Sequence, residues 1–340
     1  MENDKVYIQH PGKVVEDSRF SHMMALMLDP STNYKRGLIR CITSRTGDPG
    51  IEGNVDRSEL YFVHEDRPDH FLVDNRVTIL DEAKIVAHIA DAKSGWDFIG
   101  LEDPDIWIDK KTGVTHVYFT IPIRHEAHHT AVILGHAQGI NLDSLEMKQP
   151  MLLPQQFGGK GNGAKELSIA PINEKGVRLN LIESSENSFD DGASVVQVAI
   201  AHSMDSPWEY GEILFHPKEH NISWIAGHAS PGPLLPQTFI DMGKGKLLGI
   251  LNGREASKHI AGKIIYGMFS IGLCIYDYEN GKIDWVSPES FIRDSEARNI
   301  TFASQFVETV LGEGILYAHV DDSFVRAYTL RADAIKSLLP

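Results

Sequence analysis

The sequence predicts an all-β fold built as a five-bladed β-propeller, and three observations lead there. Short β-rich runs recur along the chain between Gly, Pro, Asn and Asp residues, while long amphipathic helical patterns are scarce. The runs gather into about five sets at a spacing of roughly 50 to 65 residues, the signature of radially repeated sheets rather than of a sandwich. No linker-like composition divides the 340 residues, so positions 1–340 read as one domain around a central axis.

Taken in order, Met23 to Leu28, Leu38 to Thr43 and Glu59 to Val63 make the first expected set. Asp105 to Ile108, Val114 to Thr120 and Thr130 to His136 make the second, and Leu167 to Ile172, Val177 to Glu183 and Val195 to His202 the third. Leu234 to Ile240, Lys246 to Leu251 and Ile264 to Ile275 make the fourth. Thr301 to Val310, Gly314 to Val320 and Phe324 to Leu330 close the chain, and Ala332 to Leu339 reads as a short helix. Asp277 to Lys282 is a hairpin turn with Asn280-Gly281 at its tip. In a propeller the innermost strand of each blade lines the axis, so acids from separate blades converge in one pocket.

Composition narrows the function classes. Hydrophobic residues make up 42% and charged residues 23%, an ordinary globular balance. The formal net charge of −15 leaves no basic surplus to neutralise phosphates and argues against a nucleic-acid partner. No run approaches the roughly 18 apolar residues that span a bilayer, and Met1 to Val15 lacks the apolar core of a secretion signal. Cys41 and Cys274 lie in apolar surroundings and read as buried free thiols, which points to a cytoplasmic location. The oligomeric state is left open, a homo-oligomer included.

The most informative stretch is Gly100-Leu101-Glu102-Asp103-Pro104-Asp105-Ile106-Trp107. Three carboxylates crowd into four positions just before a β-prone run, and their repulsion raises at least one pKa unless cations intervene. The plainer alternative is a solvated acidic turn punctuated by Pro104.

With these residues in view, the chain resembles the five-bladed propeller glycosidases, and most closely glycoside hydrolase family 130, which holds mannoside phosphorylases and β-mannosidases. The anchors are Gly100 to Trp107, followed by Val117-Tyr118-Phe119-Thr120, then Gly227-His228-Ala229-Ser230-Pro231-Gly232-Pro233, and finally Leu316-Tyr317-Ala318-His319-Val320-Asp321. The likeness extends roughly from Met24 to the C-terminus. It implies that Asp103 is the catalytic acid and that Asp321 lines the sugar pocket. It also implies that Lys165-Glu166 is the third blade's basic–acidic pair. The chain departs from the family pattern at Asp105, where the family has arginine, and at Asn252, where it has histidine. It departs again at Glu183, where an arginine often ends the strand. Several of these family positions help hold inorganic phosphate, and a phosphate dianion needs Arg or Lys donors. The departures therefore favour hydrolysis over phosphorolysis, with Lys165, Arg124, Arg45 and Arg254 as cations that would serve the latter.

Glycoside cleavage needs one carboxylic acid to protonate the leaving oxygen and a second carboxylate as base or nucleophile. The expectation is an inverting hydrolase of a β-mannoside or related small oligosaccharide, with Asp103 as acid and Glu166 or Glu183 as base. Glu102, Asp105, Lys165, His228, Asp321 and Asp17 are expected to contact substrate. The alternatives are a phosphorylase using inorganic phosphate, a furanosidase of the same architecture, and a non-catalytic sugar-binding propeller. No cofactor and no metal is called for. The plainer readings are a salt bridge from Glu166 to Lys165 or Lys160 and a solvated strand end at Glu183. His125, His128 and His129 read as a loop at the pocket rim rather than a metal site. Trp107, Trp224, Tyr118 and Tyr317 read as core. Gly158 to Gly163 reads as a connection between the second and third blades, because it lacks the Gly-Lys-Ser/Thr ending of a phosphate loop.

Overall fold

The structure, a computed structural model, describes residues 6–91, 95–125, 130–186 and 193–340. It is all-β, and among the described residues the α-helices are Glu82–Asp91 and Ala332–Lys336. Met23–Leu28 pairs with Arg36–Thr46, which pairs with Val55–Arg67 and then His70–Arg76, all antiparallel. The same up-and-down order runs from Glu102–Ile108 through Thr115–His125 and Thr130–Gly139 to Glu146–Met147. It recurs from Lys165–Ser168 through Arg178–Ser185 and Ser194–Ala201 to Glu209–Phe215. It recurs again from His228–Leu234 through Lys246–Arg254 and Phe269–Asp277 to Lys282–Val286. The last set runs from Thr301–Val310 through Glu313–Val320 to Phe324–Arg331. Its fourth strand comes from the start of the chain: Tyr7–Gln9 pairs with Phe324–Arg331, Tyr7 opposite Leu330. One parallel bridge between Ser194 and His228 makes the third and fourth sets a continuous sheet.

The first strand of each set touches the next, and the contacts close into a ring. The apolar core is divided accordingly. Leu38 and Leu60 of the first set meet Val117 and Phe119 of the second. Tyr118 and Leu134 meet Ile182 and Ala199, and Leu181 and Val196 meet Leu251 and Tyr276. Ile250 and Leu273 meet Leu316 and Tyr328, and Val325 and Ala327 return to Leu26 and Ile39. Strands covered on both faces carry continuous apolar runs, which is why Thr115–His125 reads as buried from Thr115 to Ile123. The first strands have one edge on a partner and one toward the axis.

That exposed edge explains a difference from expectation. Gly227 to Pro233 reads as a turn in the sequence, with a strand from Leu234 to Ile240, but the strand is His228–Leu234. Pro231 and Pro233 are tolerated because an axial edge strand needs ladder hydrogen bonds on one side only. The outer strand His70–Arg76 also escapes the sequence, because its half-exposed residues are mixed and weakly alternating, whereas Lys282–Val286 follows the expected hairpin turn.

Each of the five ring strands breaks register at the same level. The shifts fall between Met24 and Met27, Glu102 and Asp105, Lys165 and Ser168, Pro231 and Leu234, and Ala303 and Gln305. In the first three, a non-glycine residue takes a left-handed conformation: Ala25 at φ 50°, Asp103 at φ 45° and Glu166 at φ 51°. A bulge re-aims the side chain at its apex, and such backbone costs of order 1 kcal/mol or more for a residue with a Cβ.

Candidate active site

The bulges separate two cavities along the ring axis. Met24, Asp103, Glu166, His228 and Phe302 line one of about 1240 Å³. Met27, Asp105, Ser168, Leu234 and Gln305, further along the same strands, line the other, of about 1000 Å³.

The larger cavity gathers Glu102, Asp103, Lys165, Glu166, Glu183 and His228. Asp103 Oδ1 accepts from Arg40 Nη1 at 3.0 Å, and its side chain is only 7% exposed. Arg40 also pairs with Glu102, whose carboxylate is held in turn by Ser58 Oγ at 3.3 Å. Burial opposes the Arg40 charge, but Glu102 and Asp103 outweigh it and keep the guanidinium firmly protonated. Burial, with Asp103 adding to it against Arg40, pushes Glu102 up to about 7.

Glu183 is fully buried, 3.1 Å from Lys165 Nζ and 3.0 Å from His228 Nε2. Burial works against its charge, yet His228 and Lys165 together hold it well below the usual carboxylate range. His228 is itself held below its ordinary value, by burial above all, against the pull of Glu183. Glu166 differs from its neighbours. Among the described residues no hydrogen bond or ion pair reaches its carboxyl, and burial, Asp103 and Glu183 raise its pKa well above normal against Lys165 and Arg40.

Three expected contact residues lie elsewhere. Asp105 lines the opposite cavity, two positions past the bulge, where burial pushes it up to about 7. It therefore does not face an anion in the larger cavity and would not repel phosphate there. Asp321 is turned into the backbone: it accepts from the amides of Arg298, Asn299 and Ile300 at 2.8–3.1 Å. The cavity instead receives Asp322, which follows it, stands 3.2 Å from His319 Nε2 and stays ionised despite burial. Asp17 grips Arg19, which donates to the carbonyls of Val73 and Asp74, and it reaches neither cavity.

Arg40, like Asp322, is a cavity residue that was not expected from the sequence. Its signal was there: a lone cation at the centre of Leu38-Ile39-Arg40-Cys41-Ile42 must face a polar axis or cross-strand partner. Asn252 Oδ1 accepts from the Ala303 amide at 2.7 Å and its Nδ2 donates to the Ala303 carbonyl at 3.1 Å, tying two sets together. Tyr118, Trp224 and Tyr317 spend their polar atoms on Met204, Ser287 and Asp69, as core residues do. None of the glycines from Gly158 to Gly163 lines either cavity. Of the histidine cluster, His128 and His129 lie outside the described residues. Among the described residues no group of three potential metal ligands is found.

No protein-family model and no curated protein matches the chain. Solved structures do. One belongs to the GH130 family of mannoside phosphorylases, which contains glycoside hydrolases that target β-1,2 mannosidic linkages in Candida mannan. It superposes with a TM-score of 0.66 at 15% identity over 96% of this chain and 94% of that one. A β-1,2-mannobiose phosphorylase from Listeria innocua, in complex with β-1,2-mannobiose, gives 0.63 at 12% identity over 99% and 98%. A glycosyl hydrolase from Bacteroides ovatus gives 0.63 at 16% over 92% and 84%. At this level of identity the likeness establishes the fold: the chain resembles the propellers of glycoside hydrolase family 130.

Proposed function

We propose that the chain is a single five-bladed propeller over residues 1–340 that hydrolyses a β-mannoside or related small oligosaccharide with inversion. The observation that carries this is the pair Asp103 and Glu166, at matching bulges of neighbouring ring strands, in one cavity and in opposite electrostatic settings. Asp103 is paired with Arg40, whereas Glu166 has no cation of its own and is pushed toward the protonated form. A buried carboxyl pushed toward its protonated form suits the acid, and a carboxylate held by a guanidinium suits the base.

That division exchanges the expected roles. Glu166 gives its proton to the glycosidic oxygen as the C–O bond breaks. Asp103 takes a proton from the water whose oxygen attacks the anomeric carbon from the opposite face. Glu183, locked between Lys165 and His228, fixes Lys165 beside the pair rather than moving a proton. Asp322 and Glu102 are the hydroxyl ligands. Resemblance in fold to mannoside-active enzymes supports the substrate class.

A second reading, phosphorolysis, gains from the placement of Asp105 outside this cavity. It is disfavoured because Arg40, Lys165 and Lys218 each already hold a carboxylate, and of these and Arg254 only Arg254 is left to meet a dianion. The test is release of sugar from a panel of β-mannosides and furanosides with and without inorganic phosphate. Equal release of free sugar in both supports hydrolysis, and sugar 1-phosphate formed only with phosphate overturns it.

A further inference from the structure

Arg254 ends the strand Lys246–Arg254, opposite His228 on one side and Phe269 on the other, and lines the larger cavity. Its guanidinium carbon lies 4.3 Å from the Tyr266 ring centre and 5.4 Å from that of Phe269. Its Nε is buried and, among the described residues, makes no hydrogen bond. Among the described residues, of Arg40, Lys165, Lys218 and Arg254, only Arg254 lacks an acidic partner. Glu183, a buried acid of the same cavity, is already shared by Lys165 and His228.

A cation withdrawn from water, backed by aromatic rings and given no counter-charge by the protein, is stabilised when a ligand supplies one. Cation–π contact offsets part of the lost hydration but satisfies none of the guanidinium N–H groups. We infer that the cavity takes a sugar bearing a carboxylate, a uronic acid, and that Arg254 receives it. This rests on the reading of the cavity as a sugar site. A guanidinium presents two parallel N–H donors that match the two oxygens of a planar carboxylate. A single unpaired positive charge balances a uronate, while a phosphate dianion calls for further cations, and Arg40, Lys165 and Lys218 are committed to carboxylates.

The experiment is calorimetric titration of the full chain with D-mannuronate, D-mannose and inorganic phosphate, for the parent, Arg254→Met and Arg254→Lys. Mannuronate should bind the parent at least about tenfold more tightly than mannose, about 1.4 kcal/mol. Arg254→Met should bring that ratio close to one, and Arg254→Lys should keep part of it. Thermal melting checks that each variant folds, and if Arg254→Met does not, Arg254→Lys carries the comparison. Equal affinities in the parent, a ratio unmoved by either variant, or phosphate competing mannuronate off Arg254 would each overturn the inference. Mannuronate held through Arg254 with no glycoside cleaved would sink the hydrolase reading and leave this one standing. Hydrolysis of neutral mannosides with no gain from the carboxylate would do the reverse.

Discussion

Asp103 and Glu166 hold equivalent places on neighbouring ring strands, each at the apex of a bulge and each with left-handed backbone, at φ 45° and 51°. The first ring strand has Ala25 at φ 50° at this level. The repeat thus supplies a strained, inward-aimed position in each of these three sets, and two of them carry carboxylates.

Glu166→Gln should lower kcat by about a hundredfold or more, as loss of a general acid does. The pH profile gives the sign. A general acid must be protonated, so activity falls as pH rises through the raised Glu166 pKa. Substrates with an acidic leaving phenol should escape most of the loss in Glu166→Gln, and steady-state rates on aryl and sugar leaving groups measure it.

Asp103→Asn should also cost about a hundredfold or more, with no rescue by a good leaving group, because water still needs a base. Turnover within a few-fold of the parent would remove Asp103 from the reaction altogether. Added azide restoring activity in Asp103→Asn but not in Glu166→Gln would support the exchanged roles.

Arg40→Met leaves Glu102 and Asp103 without their cation, with all three side chains at most 13% exposed. Removing one partner of a buried pair costs about 3–5 kcal/mol, and denaturant unfolding near pH 7 should show a loss of that order. The loss should shrink as pH falls, because Glu102, pushed up to about 7 by burial, can then protonate.

Asp321 and Asp322 should separate. Asp321→Ala frees three backbone amides and should cost about 1–3 kcal/mol of stability. The Asp321 pKa is depressed in the fold, chiefly by those amides acting against burial. Its contribution is therefore present above the ordinary carboxylate pKa and fades as pH falls through the lower folded value. Asp322→Ala should weaken substrate binding more than stability, which KM set beside the melting temperature distinguishes.

Much of the architecture was legible because buried strands announce themselves. The inner and middle strands of each set lie against neighbouring sheets, so runs such as Val114 to Thr120 and Thr301 to Val310 stand out as apolar. The outer strand His70–Arg76 does not, since half-wet edges accept mixed residues, and the ring strand at His228 is hidden by Pro231, Gly232 and Pro233. At the site, the resemblance and the acid spacing pointed to Asp103, Glu166, Glu183, Lys165, Glu102 and His228, and these do meet in one cavity. Which way Asp105 and Asp321 face was not legible. A bulge moves side chains off simple alternation, so two residues along from Asp103 lies the other end of the axis. Left-handed backbone at both Asp321 and Asp322 likewise sends one carboxylate into the chain and the next into the cavity.

The most direct test is proton NMR of the first sugar released from a β-mannoside, and from its uronate counterpart, with and without inorganic phosphate. Free α-configured sugar is expected at the same rate in both conditions, with Glu166→Gln and Asp103→Asn each slowing its release by about a hundredfold or more. Initial release of β-sugar would contradict inversion, and sugar 1-phosphate appearing only with phosphate would contradict hydrolysis.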